Sequence, residues 1–220
     1  MRLGRTLNSL EATESVARAL APLLRAGDVI ALEGALGSGK TTFVRAVAGA
    51  LGVEIGLVSS PTYVIANQYP NRRGPRLAHV DCYRLCGPEE LDSIGWDLLT
   101  DGTWIVAIEW PERVGGVGGG AIPMEALRVG LEHGPVRGGA ESRLLTIEVP
   151  GEWLVRPEFP ALVRAMRGET RCPVTGVPVS PDAPTYPFAS EQARMADLNK
   201  WFTGGHAISR PIDADDLAGD

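Results

Sequence analysis

The residues Gly34-Ala35-Leu36-Gly37-Ser38-Gly39-Lys40-Thr41 place glycines at the first and sixth positions of an octet that ends in lysine and a hydroxyl residue. That spacing suits phosphate chemistry. Glycines let successive backbone N–H groups turn inward around phosphate oxygens, and a helix starting there aims its positive end at them. Lys40 has the reach for β- and γ-phosphates, and the Thr41 hydroxyl is a ligand for Mg²⁺. With 27 glycines and only two lysines, Lys40 and Lys200, in 220 residues, chance yields roughly 0.003 such matches.

A phosphate loop of this kind needs carboxylates near the metal and the attacking water. Two apolar runs end in them: Leu77-Ala78-His79-Val80-Asp81 and Trp104-Ile105-Val106-Ala107-Ile108-Glu109. In parallel α/β sheets the carboxyl ends of strands form the ligand crevice, so Asp81 and Glu109 are expected to face the phosphates. His79, alternating with Val80 along its strand, reads as structural rather than catalytic. Cys82 and Cys86 lie four apart without a second pair, which leaves them as ordinary thiols rather than a zinc site.

These residues need a scaffold. Ser9 is placed to cap a helix over about 10–26, with Val16, Leu20, Leu23 and Leu24 on one face. Asp28–Glu33 reads as a buried strand, residues 39–51 as the helix leaving the phosphate loop, and 77–82 and 104–109 as strands around a helix at 88–99. Strands at 127–132 and 144–149 and a helix near 157–167 complete the pattern, with the glycine-rich stretch 113–140 otherwise read as loops. Alternating strands and helices predict an α/β, P-loop NTPase architecture with a mostly parallel sheet.

The net charge of −6 argues against free-standing, charge-driven binding to nucleic acid. No run approaches the ~20 apolar residues of a membrane span. Met1-Arg2-Leu3-Gly4-Arg5 lacks the apolar stretch of a signal peptide, so a cytoplasmic protein without membrane partners is expected. Composition changes near residue 168: five prolines follow between 173 and 187, then an amphipathic helix at about 190–203. Residues 169–220 hold 8 acidic and 4 basic side chains, so −4 of the net charge falls in this tail. The expected domains are 1–168 and 169–220, with 211–220 frayed.

Five segments occur in the order of a known family: Gly34–Thr42, Ser59-Ser60-Pro61-Thr62-Tyr63, His79-Val80-Asp81-Cys82-Tyr83-Arg84-Leu85, Pro88-Glu89-Glu90-Leu91 and Glu109-Trp110-Pro111-Glu112. Across about residues 7–150 the chain resembles the TsaE (YjeE) family. Ala35, where that family often has Asp, and Cys82, where it has a larger apolar residue, depart from the pattern without removing a phosphate ligand.

The resemblance implies a small ATPase needed for threonylcarbamoylation of adenosine beside the anticodon in tRNAs that read A-starting codons. It implies partners as well: the threonylcarbamoyl transferase and its paralogous subunit, with tRNA met only through that complex. It places ATP on Leu36, Gly37, Ser38, Gly39, Lys40, Thr41 and Thr42, with Thr62 in a loop that senses the γ-phosphate. Mg²⁺ falls on Thr41 and Glu109, with Asp81 as a catalytic or metal-shell carboxylate beside Lys40. Trp110 would lie near the nucleotide or the partner surface. Arg84 reads as a structural ion pair or a source of transition-state charge.

The tail resembles the YacG family of small zinc-ribbon gyrase inhibitors. The positions of that family's four cysteines are Cys172, Thr175, Ala189 and Ala193 here. One thiolate cannot hold tetrahedral zinc, so a zinc-ribbon-like appendage without zinc is expected. A P-loop kinase of a small molecule and a tail acting on DNA gyrase stay open as alternatives. The absence of an arginine-rich lid weighs against the first, and the missing zinc ligands against the second.

Overall fold

In the computed structural model, which describes residues 1–71, 74–134 and 142–202, Met1–Arg167 forms one unit and a second begins at Gly168. The first unit runs β1 (Arg2–Leu7), α1 (Leu10–Leu20), β2 (Val29–Glu33), α2 (Lys40–Ala50), β3 (Ala66–Tyr69), β4 (Arg76–Asp81), α3 (Trp96–Leu99), β5 (Trp104–Glu109), β6 (Leu127–His133), β7 (Arg143–Glu148) and α4 (Phe159–Arg167). Its sheet is ordered β1-β7-β6-β2-β5-β4-β3. The four central strands, β6, β2, β5 and β4, run parallel. Antiparallel strands close both edges, β3 on β4 and the β7–β1 pair on β6.

β2 lies at the centre because Val29-Ile30-Ala31-Leu32 is apolar on both faces, as a strand covered on both sides must be. Ile30 and Leu32 pack into one cluster with Val16, Leu20, Phe43 and Val47 from α1 and α2. Val29 and Ala31 point the other way, into a cluster with Val80, Leu91, Trp96 and Ile108. The sheet therefore carries a hydrophobic layer on each face.

Several boundaries differ from the sequence reading, each for a local reason. The first helix stops as an α-helix at Leu20 and tightens into a 3₁₀ turn over Ala21–Leu23, where Pro22 has no N–H to continue the ladder. The single helix expected at 88–99 is a 3₁₀ segment, Pro88–Ile94, then the four-residue α3, separated by Gly95 at φ 70°. β1 and β3 carry too few apolar residues to mark themselves as strands. They exist because β7 and β4 offer them open edges.

At the base of the sheet Arg156 donates to both Asp28 carboxylate oxygens, at 2.5 and 2.8 Å, and to the Leu23 carbonyl at 2.6 Å. Its guanidinium also lies 3.9 Å from the Trp153 ring centroid. This clamp ties the 3₁₀ segment Gly151–Val155 to the turn before β2.

The second unit contains β8 (Thr170–Arg171) paired antiparallel with β9 (Pro178–Val179), then α5 (Glu191–Phe202). Cys172, Val179 and Ala193 form its small core, with Val174, Tyr186 and Phe188 packed around them. Burial pushes the Cys172 thiol up, but hydrogen bonds from the Thr175 hydroxyl and from Ala189, Thr175 and Val174 backbone outweigh it and leave it at about 7. Cys172 thus contacts Thr175 and Ala189 and shares a core with Ala193, the positions matched to zinc ligands above. Among the described residues no group of three or more His, Cys, Asp or Glu is arranged to hold a metal. The expected fraying of 211–220 lies outside the described residues.

Arg156→Ala would leave the mostly buried Asp28 carboxylate without its cation, and we expect a loss of about 3 kcal/mol in urea unfolding. The tail yields a second expectation: elemental analysis of the purified chain returns no stoichiometric zinc, and a one-to-one content would overturn the zinc-free reading.

Candidate functional site

α2 begins at Lys40, directly after the glycine-rich turn, and its N-cap residue Gly39 has no side chain to cap the first N–H groups. Those donors are left for an anion. Two glycines explain the backbone path. A Cβ on Gly34 would sit 2.1 Å from the Leu131 carbonyl oxygen, and Gly39 adopts φ 106°, which side-chain-bearing residues rarely do. An open, uncapped cradle of this kind fits the phosphates of a nucleotide.

Lys40 is buried within the cradle. Its ammonium donates to the Gly34 carbonyl at 2.7 Å and the Ala35 carbonyl at 3.1 Å. It also lies 3.7 Å from the Trp110 ring centroid, a cation–π contact. Burial pushes the Lys40 pKa down, while the negative charges of Glu109, Asp81 and Glu112 push the other way.

The two carboxylates come from adjacent parallel strands in register, Asp81 at the end of β4 opposite Glu109 at the end of β5. Period-two alternation puts Leu77, His79 and Asp81 on one face of β4, and Ile105, Ala107 and Glu109 on the same face of β5. Leu77, Ile105 and Ala107 all pack into the cluster that contains α2. Glu109 consequently meets the helix: its Oε1 accepts the Thr41 hydroxyl at 2.8 Å and lies 2.8 Å from His79 Nε2. Asp81 serves a different segment. Its Oδ2 accepts the Thr62 hydroxyl at 2.5 Å, and its Oδ1 accepts the Tyr83 N–H at 3.0 Å. Thr62 in turn accepts from the Ser60 hydroxyl at 2.7 Å.

Together Leu36, Gly37, Gly39, Lys40, Thr41, Thr42, Ser60, Thr62, Asp81, Tyr83, Glu109 and Trp110 line one cleft of about 250 Å³. Ser38 instead faces a neighbouring cleft, also about 250 Å³, with Ser9, Thr13, Leu131 and Arg143. Its buried hydroxyl has no partner among the described residues. Thr41, Asp81 and Glu109 supply hard oxygen donors of the kind Mg²⁺ takes.

Sequence reasoning passed over part of this arrangement. His79 contacts Glu109 directly, and Tyr83 and Ser60 belong to the cleft wall; only the pairing of β4 with β5 reveals it. Arg84, considered above as an ion pair, makes none among the described residues. Its guanidinium stacks 4.4 Å from the Tyr63 ring centroid. Among the described residues no helix is long and apolar enough to cross a membrane.

A family model described as "Threonylcarbamoyl adenosine biosynthesis protein TsaE" matches residues 7–138. Among curated relatives, a tRNA threonylcarbamoyladenosine biosynthesis protein TsaE from Streptomyces coelicolor is 48% identical over 98 residues, covering 43% of this chain. The match spans 64% of that relative, a little under two thirds of its length. The protein of the same name from Bacillus subtilis is 33% identical over 147 residues, covering 67% of this chain and 85% of the relative. A solved structure titled as the crystal structure of Bacillus subtilis YdiB matches with a TM-score of 0.55 and 26% identity, covering 74% of this chain and 95% of that one.

The Thr62–Asp81 bond anchors the segment that carries Ser60 and Tyr63. A hydrogen bond to a charged carboxylate contributes about 1.5–3 kcal/mol. Thr62→Val should therefore speed amide exchange at 62–65 by about tenfold or more while leaving exchange in β2 unchanged.

Proposed function

The chain belongs to the TsaE family of tRNA threonylcarbamoyladenosine biosynthesis proteins, and from that premise we propose that it binds ATP with Mg²⁺ and hydrolyses it in support of that modification. The observation that carries the reading is the direct contact of Thr41 with Glu109 at the uncapped start of α2, within a cleft that also holds Lys40 and Asp81.

In this reading the phosphates rest on Leu36 to Thr42, and the backbone N–H groups at the start of α2 supply the donors. Lys40 exchanges its carbonyl and Trp110 contacts for phosphate oxygens. Thr41 and Glu109 hold Mg²⁺, which when bound neutralises phosphate charge. Thr41 keeps its proton on Glu109 and leaves its oxygen lone pairs to the metal. Asp81 is the carboxylate that positions water or completes the metal shell, and Thr62 links it to the loop that senses the γ-phosphate. Phosphoryl transfer depends mainly on such positioning and charge neutralisation.

The partners in this proposal are the threonylcarbamoyl transferase and its paralogous subunit, in the cytoplasm. The modified adenosine lies beside the anticodon of tRNAs reading A-starting codons. A chain of net charge −6 meets tRNA through the complex rather than by its own surface. Turnover is slow alone and faster with the partners.

The test is ATP hydrolysis by the full chain, alone and with the transferase pair. Lys40→Ala should weaken nucleotide binding by at least about tenfold, through loss of a charged phosphate contact. Asp81→Asn should keep binding within a few-fold and slow turnover about 100-fold or more. Rapid phosphorylation of a small-molecule acceptor by the chain alone would overturn the proposal in favour of a kinase.

A further inference from the structure

His79 is fully enclosed, on the face of β4 that otherwise carries Leu77 and Asp81. An apolar residue there would join the core without cost. The imidazole instead buries two polar nitrogens, of which Nδ1 has no partner among the described residues and Nε2 lies 2.8 Å from Glu109 Oε1. A proton on Nδ1 would be a buried donor with nothing to accept it, so the ring carries its proton on Nε2 and donates to the carboxylate. The same oxygen accepts from Thr41 at 2.8 Å. Oε2 has no hydrogen bond among the described residues. The last torsion of a glutamate is soft and roughly twofold, and one donor alone would leave the carboxylate free to turn about it. Two donors on one oxygen, from β4 and from α2, fix which oxygen faces the helix and which is left for a ligand.

We propose that His79 is a positioning residue for the nucleotide site: its Nε2–H orients the Glu109 carboxylate so that Glu109 and Thr41 present oxygens to the divalent cation together. The proposal rests on the reading of Thr41 and Glu109 given above. It departs from the structural role that alternation along the strand assigns to this histidine. Partners that orient metal-ligating groups typically change metal affinity by about 10–100-fold when removed.

The experiment measures binding of a fluorescent ADP analogue to the full chain, in EDTA and across a Mg²⁺ titration. In His79→Leu the Mg²⁺ concentration giving half-maximal enhancement should rise about 10–100-fold, while affinity in EDTA stays within about twofold. His79→Gln, whose amide nitrogen sits close to the Nε2 position, should restore most of the wild-type requirement. His79→Asn, one carbon shorter, should not. The double variant His79→Leu/Glu109→Gln should be no worse than Glu109→Gln alone, because the histidine acts only through that carboxylate.

An unchanged Mg²⁺ requirement in His79→Leu would overturn the inference, as would an equal loss of affinity with and without Mg²⁺. If His79→Leu does not fold, the contrast between the Gln and Asn variants decides in the same way. A wild-type chain whose nucleotide binding ignores Mg²⁺ would overturn the proposed site itself, and the wild-type titration reports that separately.

Discussion

The hydrogen bond from Thr41 to Glu109 joins residues 68 apart in sequence, across 2.8 Å, and the geometry of the cleft depends on it. Thr41 belongs to the first turn of α2, whose position is set by Phe43, Val44 and Val47 packing on the sheet. Glu109 ends β5, whose register against β2 pairs it with Leu32. Both ends of the bond are therefore placed by the apolar burial of neighbouring residues rather than by the bond itself. A shift of β5 by one residue would turn Glu109 to the opposite face of the sheet and break the contact.

Backbone strain gathers around the same cleft. Trp110 and Ile65 are the described non-glycine residues with positive φ, at 59° and 67°. For bulky or β-branched residues that conformation is unfavourable, typically by about 1–3 kcal/mol, and it persists only where surroundings hold it. Trp110 is held by its N–H on the Leu32 carbonyl, by the Lys40 ammonium over its ring and by Tyr83, whose ring centroid is 5.0 Å away. Ile65 is held between Pro61, whose carbonyl accepts its N–H at 2.6 Å, and Asp81, whose N–H it accepts at 2.8 Å. Each strained residue thus leans on a residue of the cleft, Lys40 in one case and Asp81 in the other. For Trp110 the contact is with the Lys40 side chain, and for Ile65 it is with the Asp81 backbone N–H.

The second unit follows a different economy. Among the described residues its core is small: Cys172, Val179 and Ala193 with a partly exposed rim. Among the described residues, hydrogen bonds to the Cys172 sulfur and a small apolar contact join the turn after β8 to the start of α5. A core of this size holds the unit more lightly than the two-sided hydrophobic layers of the first unit hold its sheet.

Much of this was legible in order along the chain. The octet 34–41, the apolar runs ending in Asp81 and Glu109, and the central strands follow from local residue types, because phosphate loops and buried strands are encoded within a few neighbouring positions. Pairing was not legible. β1 and β3 exist only as edges offered by β7 and β4, and Gly95 divides a segment whose apolar spacing reads as one helix. His79 illustrates the limit most plainly: alternation made it a core residue, and it is buried, yet the register of β4 on β5 also sets it against Glu109. The sequence by itself determined which groups were available for chemistry and which strands would be central. The tertiary structure alone decided which of those groups touch, because contacts between distant segments depend on strand register and helix packing, which no local window contains.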